Sequence, residues 1–366
     1  MALEASRGGV RAAIALALLV LPAAGASAAD RTPSVVTRER SVERIAEGVY
    51  VIRHQDAPDT NPQGNTTVVI GTEGVLVVDS GYLPSSTRED IAQIRRWTRL
   101  PVRYLVNTHW HPDHIRGNAA YVRAFPGVAI VAHEKTPELE RGFDEPNLAR
   151  YRARIETLRR ELDRGRDEEG KPLEPKARAE AAADLARRTP VAREFEGYRP
   201  VYPSVTFTGA MTLDLGGRSV QLRDLGRGHT VGDVIAWLPE EGIVIAGDLV
   251  AHPVPYFFAG WPYDEIGTLE RLDAMNARII VPGHGQVLHH GAYVRETLRL
   301  MRDVRDQVVA QVRKRGSLSA KLEDVRKAID FGTAEKRFAG DDPDNVEFFR
   351  ESMDGLVKTL FYQIAE

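Results

Sequence analysis

Residues 107–118 read NTHWHPDHIRGN and place His109, His111, Asp113 and His114 within six positions of a 366-residue chain that has only 10 histidines. Histidine titrates near neutrality. Four such groups crowded together without partners would repel one another and be costly to desolvate, so a shared cation is the natural compensation. Alternate residues of an extended segment point the same way, so His109 and His111 can face one point while Asp113 and His114 turn toward a second. Two metal positions are suggested.

Three further donors stand far along the chain: His229 in LGRGHTVGD, Asp248 in GIVIAGDLV and His284 in ARIIVPGHG. Each follows an apolar, strand-like run by a glycine-containing turn, which predicts that all three emerge at strand ends, where open α/β sheets place ligand sites. His54, His133, His252, His289 and His290 lack such a setting and are expected to be hydrogen-bonded core or surface residues.

The chain is 43% hydrophobic and 28% charged, ordinary usage for a globular protein with a sizeable core. A net charge of -3 argues against a broad basic footprint for nucleic acid. With no cysteine, disulfides and thiolate ligands are excluded and any metal must be held by nitrogen and oxygen. Residues 1–29 read as a signal peptide: Arg7 and Arg11, an apolar run over 12–24, then Ala26-Ser27-Ala28, with cleavage expected after Ala28 or Ala29. The run is short of the ~20 residues that span a bilayer and contains Pro22. The expectation is a periplasmic or secreted bacterial protein with no membrane anchor after cleavage.

From Gly48 onward GVYVIRH, NTTVVIG and GVLVVDSG read as strands, the last two joined as a hairpin at TEG. TREDIAQIRRW has helical spacing with Thr87 as its expected N-cap, and VRYLVN is a strand delivering the chain to His109. Residues 134–200 are rich in Arg, Glu, Leu and Ala and predict a solvated helical hairpin. Paired strands resume with a turn at Gly216-Gly217, and a last helical segment begins near Ala292. Alternating strands and helices imply layered α/β architecture.

HWHPDH, GHTVGD, AGD and PGHG, with VVDSG upstream, resemble the metallo-β-lactamase-fold hydrolase superfamily over about residues 45–290. The resemblance implies a four-layer αββα sandwich of two mixed sheets, with the site at one edge between them. It implies a domain over 30–290 carrying a helical insertion at about 134–200, followed by a helical extension over 291–366. Carried over position by position, His109, His111 and His229 hold one metal, Asp113, His114 and His284 the other, and Asp248 bridges both. Asp79 is similar to the family's aspartate that orients the ligand loop.

A pair of divalent cations, zinc by default and iron or manganese also suited to these ligands, lowers the pKa of water enough to supply a hydroxide nucleophile near neutral pH. That describes a dinuclear metallohydrolase acting on a small-molecule substrate. Asp113 has a second expected role, orienting the nucleophile or passing a proton to the leaving group. An aspartate at position 248 is similar to glyoxalase II-type thioesterases and lactonases. The best-known zinc β-lactamases have cysteine there, with a lysine three residues on that grips the substrate carboxylate. Here that position is Ala251. Ester, thioester, lactone or amide substrates are therefore expected ahead of β-lactam antibiotics, with iron-dependent redox or sulfur chemistry as the alternative on this scaffold. Trp110, Tyr256, Phe257, Phe258 and Trp261 either wall an apolar pocket or pack the core. The two helical additions either cover the site or build a homodimer.

Overall fold

The computed structural model describes residues 33–316 and 319–365. The leader expected over residues 1–29 lies outside them. Strands β1 (Ser41–Ala46), β2 (Val49–Arg53), β3 (Thr66–Ile70) and β4 (Val75–Val78) form an antiparallel meander. Helix α1 (Pro84–Trp97) leads to β5 (Val102–Val106), short helices α2 (Pro112–Ile115) and α3 (Asn118–Ala124), and β6 (Ala129–His133). Two long helices, α4 (Thr136–Arg164) and α5 (Pro175–Glu194), precede β7 (Val205–Phe207). β5, β6 and β7 add in parallel beside β4, giving a mixed seven-stranded sheet in the order β1 to β7.

The second sheet contains β8 (Ala210–Asp214), β9 (Ser219–Arg223), β10 (Ile235–Leu238) and β11 (Ile243–Ala251). After α6 (Pro262–Asp273) come β12 (Ile279–His284) and β13 (Leu288–His289). Its order is β13-β12-β11-β10-β9-β8, with only β11 and β12 parallel. The expected hairpin turn falls at Gly216 and Gly217, both at positive φ (74° and 61°), the conformation that glycine adopts without steric cost. Helices α7 (Ala292–Arg315), α8 (Leu322–Arg326), α9 (Ala334–Ala339) and α10 (Pro343–Ala365) complete the chain. Among the described residues, no helix is long and apolar enough to cross a membrane.

The layering follows from the two-residue period of the strands. In β4, Leu76 and Val78 face the second sheet while Val75 and Val77 face α1 and α3, where Ile91, Ile94 and Tyr121 meet them. In β11, Ile243 and Ile245 point between the sheets, and Val244 and Ala246 point to the layer formed by α6, α7 and α10. Strands buried on both faces read as continuous apolar runs, as VLVV and IVIA do. The result is the αββα sandwich of two mixed sheets.

Two local readings change. α1 begins at Pro84, three residues before the expected cap, because proline suits the first helical position. Thr87 lies inside the first turn, its hydroxyl donating to the Ser80 carbonyl (2.8 Å) and the Leu83 carbonyl (3.2 Å). Asp248 lies within β11, since the strand runs through it to Ala251.

In α4, Glu140 is buried and its Oε1 has no hydrogen-bond partner among the described residues. Burial, with Asp144 adding to it, pushes its carboxyl up to about 8 from an ordinary 4.5. The folded chain thus holds this proton more tightly than the unfolded chain, and stability is lost as pH rises from 4.5 through 8. Glu140→Gln mimics the protonated form. It should leave the melting temperature nearly unchanged at pH 5 and raise it at pH 8, by roughly 2–4 °C for each kcal/mol recovered. Thermal unfolding at the two pH values checks this; an equal shift at both would contradict it.

Candidate metal centre

β5 ends at Val106, and the turn that follows is fixed from beneath by Asp79. Its carboxylate accepts from the Thr108 backbone N–H (Oδ1, 2.8 Å) and the Thr108 hydroxyl (Oδ2, 2.8 Å), and lies 2.8 Å from His114 Nδ1. Asp79 adopts φ 60°, an uncommon conformation for a residue with a side chain, and this aims the carboxylate at both partners. A proton on His114 Nδ1 shared with Asp79 leaves the Nε2 lone pair facing the cleft. His109 is oriented in the same way, its Nδ1 lying 3.0 Å from Thr108 Oγ1.

The seven expected donors converge from four segments. His109, His111, His229 and Asp248 offer ligand atoms within 4.8 Å of one another, and Asp113, His114 and His284 form a second such group. Asp248 lies between the groups. Its Oδ2 is 3.7 Å from His109 Nε2, 3.5 Å from His229 Nε2 and 3.5 Å from His284 Nε2, and its Oδ1 is 3.3 Å from His114 Nε2. Asp113 Oδ2 is 3.1 Å from His284 Nε2 and 3.3 Å from His114 Nε2, and its side chain keeps 20% exposure to the cleft.

These residues fit divalent cations. Ring nitrogens face one another at 2.9 Å (His229 Nε2 and His111 Nδ1) and at 3.3 Å (His114 Nε2 and His284 Nε2). Among the described residues, His109 Nε2 and Asp248 Oδ1 are buried with no hydrogen-bond partner, a costly state unless another group satisfies them. Burial, with His114 adding to it, holds His109 well below its ordinary range, and burial and His229 bring His111 down to about 3, so both are neutral donors. In the second group burial opposes charge, yet Asp248, Asp113 and Asp79 raise His114, and Asp248 and Asp113 raise His284 to about 9. Against burial, the histidines hold both carboxylates well below their ordinary range. Those imidazole protons occupy positions that a bound cation would take, so metal uptake releases them.

Asp248 reaches the centre through a bulge rather than a turn. The β11–β12 register shifts between Ile245 and Gly247, and Gly247 has φ 53°. Opposite it, a Cβ on Gly283 would overlap Asp248 Oδ1, so the carboxylate occupies space that only glycine leaves open.

The loop from His54 to Asn65 also serves the site and was not recognisable from sequence. Asn65 donates from its N–H to the Gly283 carbonyl (2.7 Å) and from Nδ2 to those of Pro282 (2.8 Å) and Gly285 (3.0 Å), fixing the turn that carries His284. Gly64 lies against the His114 ring, where a Cβ would come within 2.5 Å of Cε1. In the sequence, Asn65 reads only as the first residue of the strand NTTVVIG and Gly64 as the end of the polar stretch before it. His54 is hydrogen-bonded to the Gly64 carbonyl and to Asp90, the structural part expected of it. His133, His252, His289 and His290 belong to neither donor group.

The aromatic residues divide. Phe257 is core, 2% exposed and packed with the α6 and α7 side chains. Trp110 lies edge-on to His111 (4.3 Å between centroids) and to Phe143 of α4 (4.8 Å). Across the centre, Tyr256 lies 5.2 Å from the His284 ring and continues to Phe258, 47% exposed, and to Phe348 of α10. The C-terminal helix therefore contributes a wall. Nothing in the sequence around Phe348 signals this.

Comparison with known proteins agrees with this geometry. A linear primary-alkylsulfatase from a Pseudomonas species is 26% identical over 257 residues, which are 66% of this chain and 46% of the relative. A beta-lactamase-like protein 2 homolog from Caenorhabditis elegans is 24% identical over 69% of this chain and 66% of its own length. This chain thus spans less than half of the alkylsulfatase. Among solved structures, a metallo-beta-lactamase from Pontibacter korlensis superposes with a TM-score of 0.53 at 21% identity, covering 72% of this chain and 99% of that one, a likeness of fold. The family model described as the metallo-beta-lactamase superfamily matches residues 59–284, from the loop beside His114 to the last histidine of the centre, and the chain belongs to that superfamily.

Proposed function

We propose that this chain is a hydrolase that holds two divalent ions, zinc by default, and cleaves carboxylic esters, thioesters or lactones. The observation that carries this reading is the Asp248 carboxylate, lying 3.3–3.7 Å from imidazole nitrogens of both donor groups. Bound there, the ions supply an ionised water near neutral pH and polarise the scissile carbonyl. The chain's own residues do the rest. His109 and His114 are pre-aimed by Thr108 and Asp79. Asp113, open to the cleft and ionised, orients the attacking group, takes up its proton as it adds to the carbonyl and passes that proton to the leaving oxygen or sulfur. Tyr256, Phe258 and Phe348 receive the apolar part of the substrate.

Ala251 is 2% exposed and offers no grip for a lactam carboxylate, which supports the reading of esters ahead of β-lactams. The alkylsulfatase among the relatives supports a second reading, cleavage of a sulfate ester at the same centre. The sequence of residues 1–29 supports an exported location for either activity.

A panel of carboxylic esters, thioesters, lactones, β-lactams and alkyl sulfates, run on metal-loaded and chelator-treated protein, tests this. Metal-dependent turnover of a carboxylic ester, thioester or lactone is expected. Each methylene added to the acyl chain should raise kcat/KM by up to about fourfold until the aromatic wall is filled, at roughly 0.8 kcal/mol per buried CH₂. Turnover confined to alkyl sulfates would favour the second reading, and turnover confined to β-lactams would overturn both.

A further inference from the structure

Arginine is among the most costly side chains to bury, and Arg116, two residues past His114, is 1% exposed. Its Nε donates to Asp144 Oδ1 (2.7 Å) and Nη2 to Asn147 Oδ1 (2.9 Å), both on α4. The guanidinium carbon lies against a corner formed by the rings of Tyr82 (5.1 Å) and Phe195 (4.8 Å), which meet each other edge-on at 5.5 Å, and Asp144 is itself 1% exposed. An apolar side chain could fill this space more cheaply. What the planar fork adds is a fixed direction, since it must meet two acceptors and two ring faces together. The residue before Asp144 grips the other end of the same loop: Phe143 meets Trp110, which lies against His111. Neighbouring residues of one helix thus hold residues 110 and 116, and the donors His111, Asp113 and His114 lie between those two points.

We infer that the α4–α5 insertion is a positioning element for the ligand loop, acting through the buried Arg116–Asp144 pair, which sets the direction of Asp113 and His114. This rests on the metal reading above. Arg116 touches no reacting atom; it acts through the turn of α2.

The test separates positioning from mere stability. Removing one partner of a buried ion pair strands the other charge, whereas replacing both by apolar residues is often neutral for folding. Arg116→Met/Asp144→Leu should therefore melt within a few degrees of wild type. By competition with a chromophoric chelator, it should bind one equivalent of Zn²⁺ as wild type does and the other about 10- to 100-fold more weakly, the range found when residues that orient metal ligands are lost. The visible ligand-field spectrum of the Co²⁺-loaded variant should shift, which a purely stabilising pair would not cause. Arg116→Lys keeps the charge without the fork and should move both readouts in the same direction by less. If the double variant does not fold, Arg116→Lys decides. Wild-type affinity and an unchanged Co²⁺ spectrum in the variants, from a wild type that binds metal, would overturn the inference. A wild type that takes up no Zn²⁺ or Co²⁺ would instead overturn the metal reading beneath it.

Discussion

Asp248→Ala should leave a folded chain that has lost hydrolytic activity by at least about a thousandfold, the scale of several kcal/mol that metal polarisation supplies to a transition state. The size of the effect follows from the position of the side chain. One carboxylate lies within 3.7 Å of His109 and His229 on one side and of His114 and His284 on the other. Its removal leaves two groups of neutral or mutually repelling imidazoles with nothing between them. Both equivalents of metal should weaken, whereas His111→Ala or His229→Ala should weaken chiefly one. Chelator competition on each variant distinguishes these patterns. An Asp248→Ala protein that keeps one equivalent at wild-type affinity would show that Asp248 serves a single position.

The second large effect comes from adding one methyl group. Gly283→Ala places a Cβ on top of Asp248 Oδ1 and 2.7 Å from the Gly247 carbonyl carbon, and neither the buried carboxylate nor the backbone of β11 can move aside freely. Overpacking of this kind typically costs about 1–3 kcal/mol in stability. The expected loss of activity is larger, about a hundredfold or more, because Asp248 is displaced from all four imidazoles at once. Circular dichroism and kinetics on the same preparation check the contrast. A variant with a lowered melting temperature and undiminished kcat/KM would contradict it.

What was legible in the sequence was whatever the chain states locally. His109, His111, Asp113 and His114 crowd six positions, a density with no inexpensive explanation in the absence of a cation. His229 and His284 each close an apolar run followed by glycine. The apolar runs VLVV and IVIA were legible as strands, and both are strands in the fold. The features that were missed depend on what packs against what. Asp248 was placed past its strand because Gly247 reads as a turn, whereas pairing with β12 makes it a bulge inside the strand. Phe348 became a wall of the site only because α10 docks on the loop after β11, with Ser352 donating to the Pro255 carbonyl and accepting from Phe257 N–H. The role of Arg116 has no local signal, since the acceptors that bury it, Asp144 and Asn147, lie in a helix that by composition reads as solvated. Phe257 and Phe258 are adjacent and chemically identical, and only the packing of α6 and α7 makes one of them core and the other surface.

On the proposed reading this chain holds two ions and needs both for hydrolysis. The most direct test is a stoichiometric titration of chelator-stripped protein with Zn²⁺, reading bound metal by elemental analysis and turnover of the best ester, thioester or lactone at each step. Binding should saturate at two equivalents per chain, with most of the activity appearing with the second. Saturation at one equivalent, or full turnover by the stripped protein, would contradict this reading.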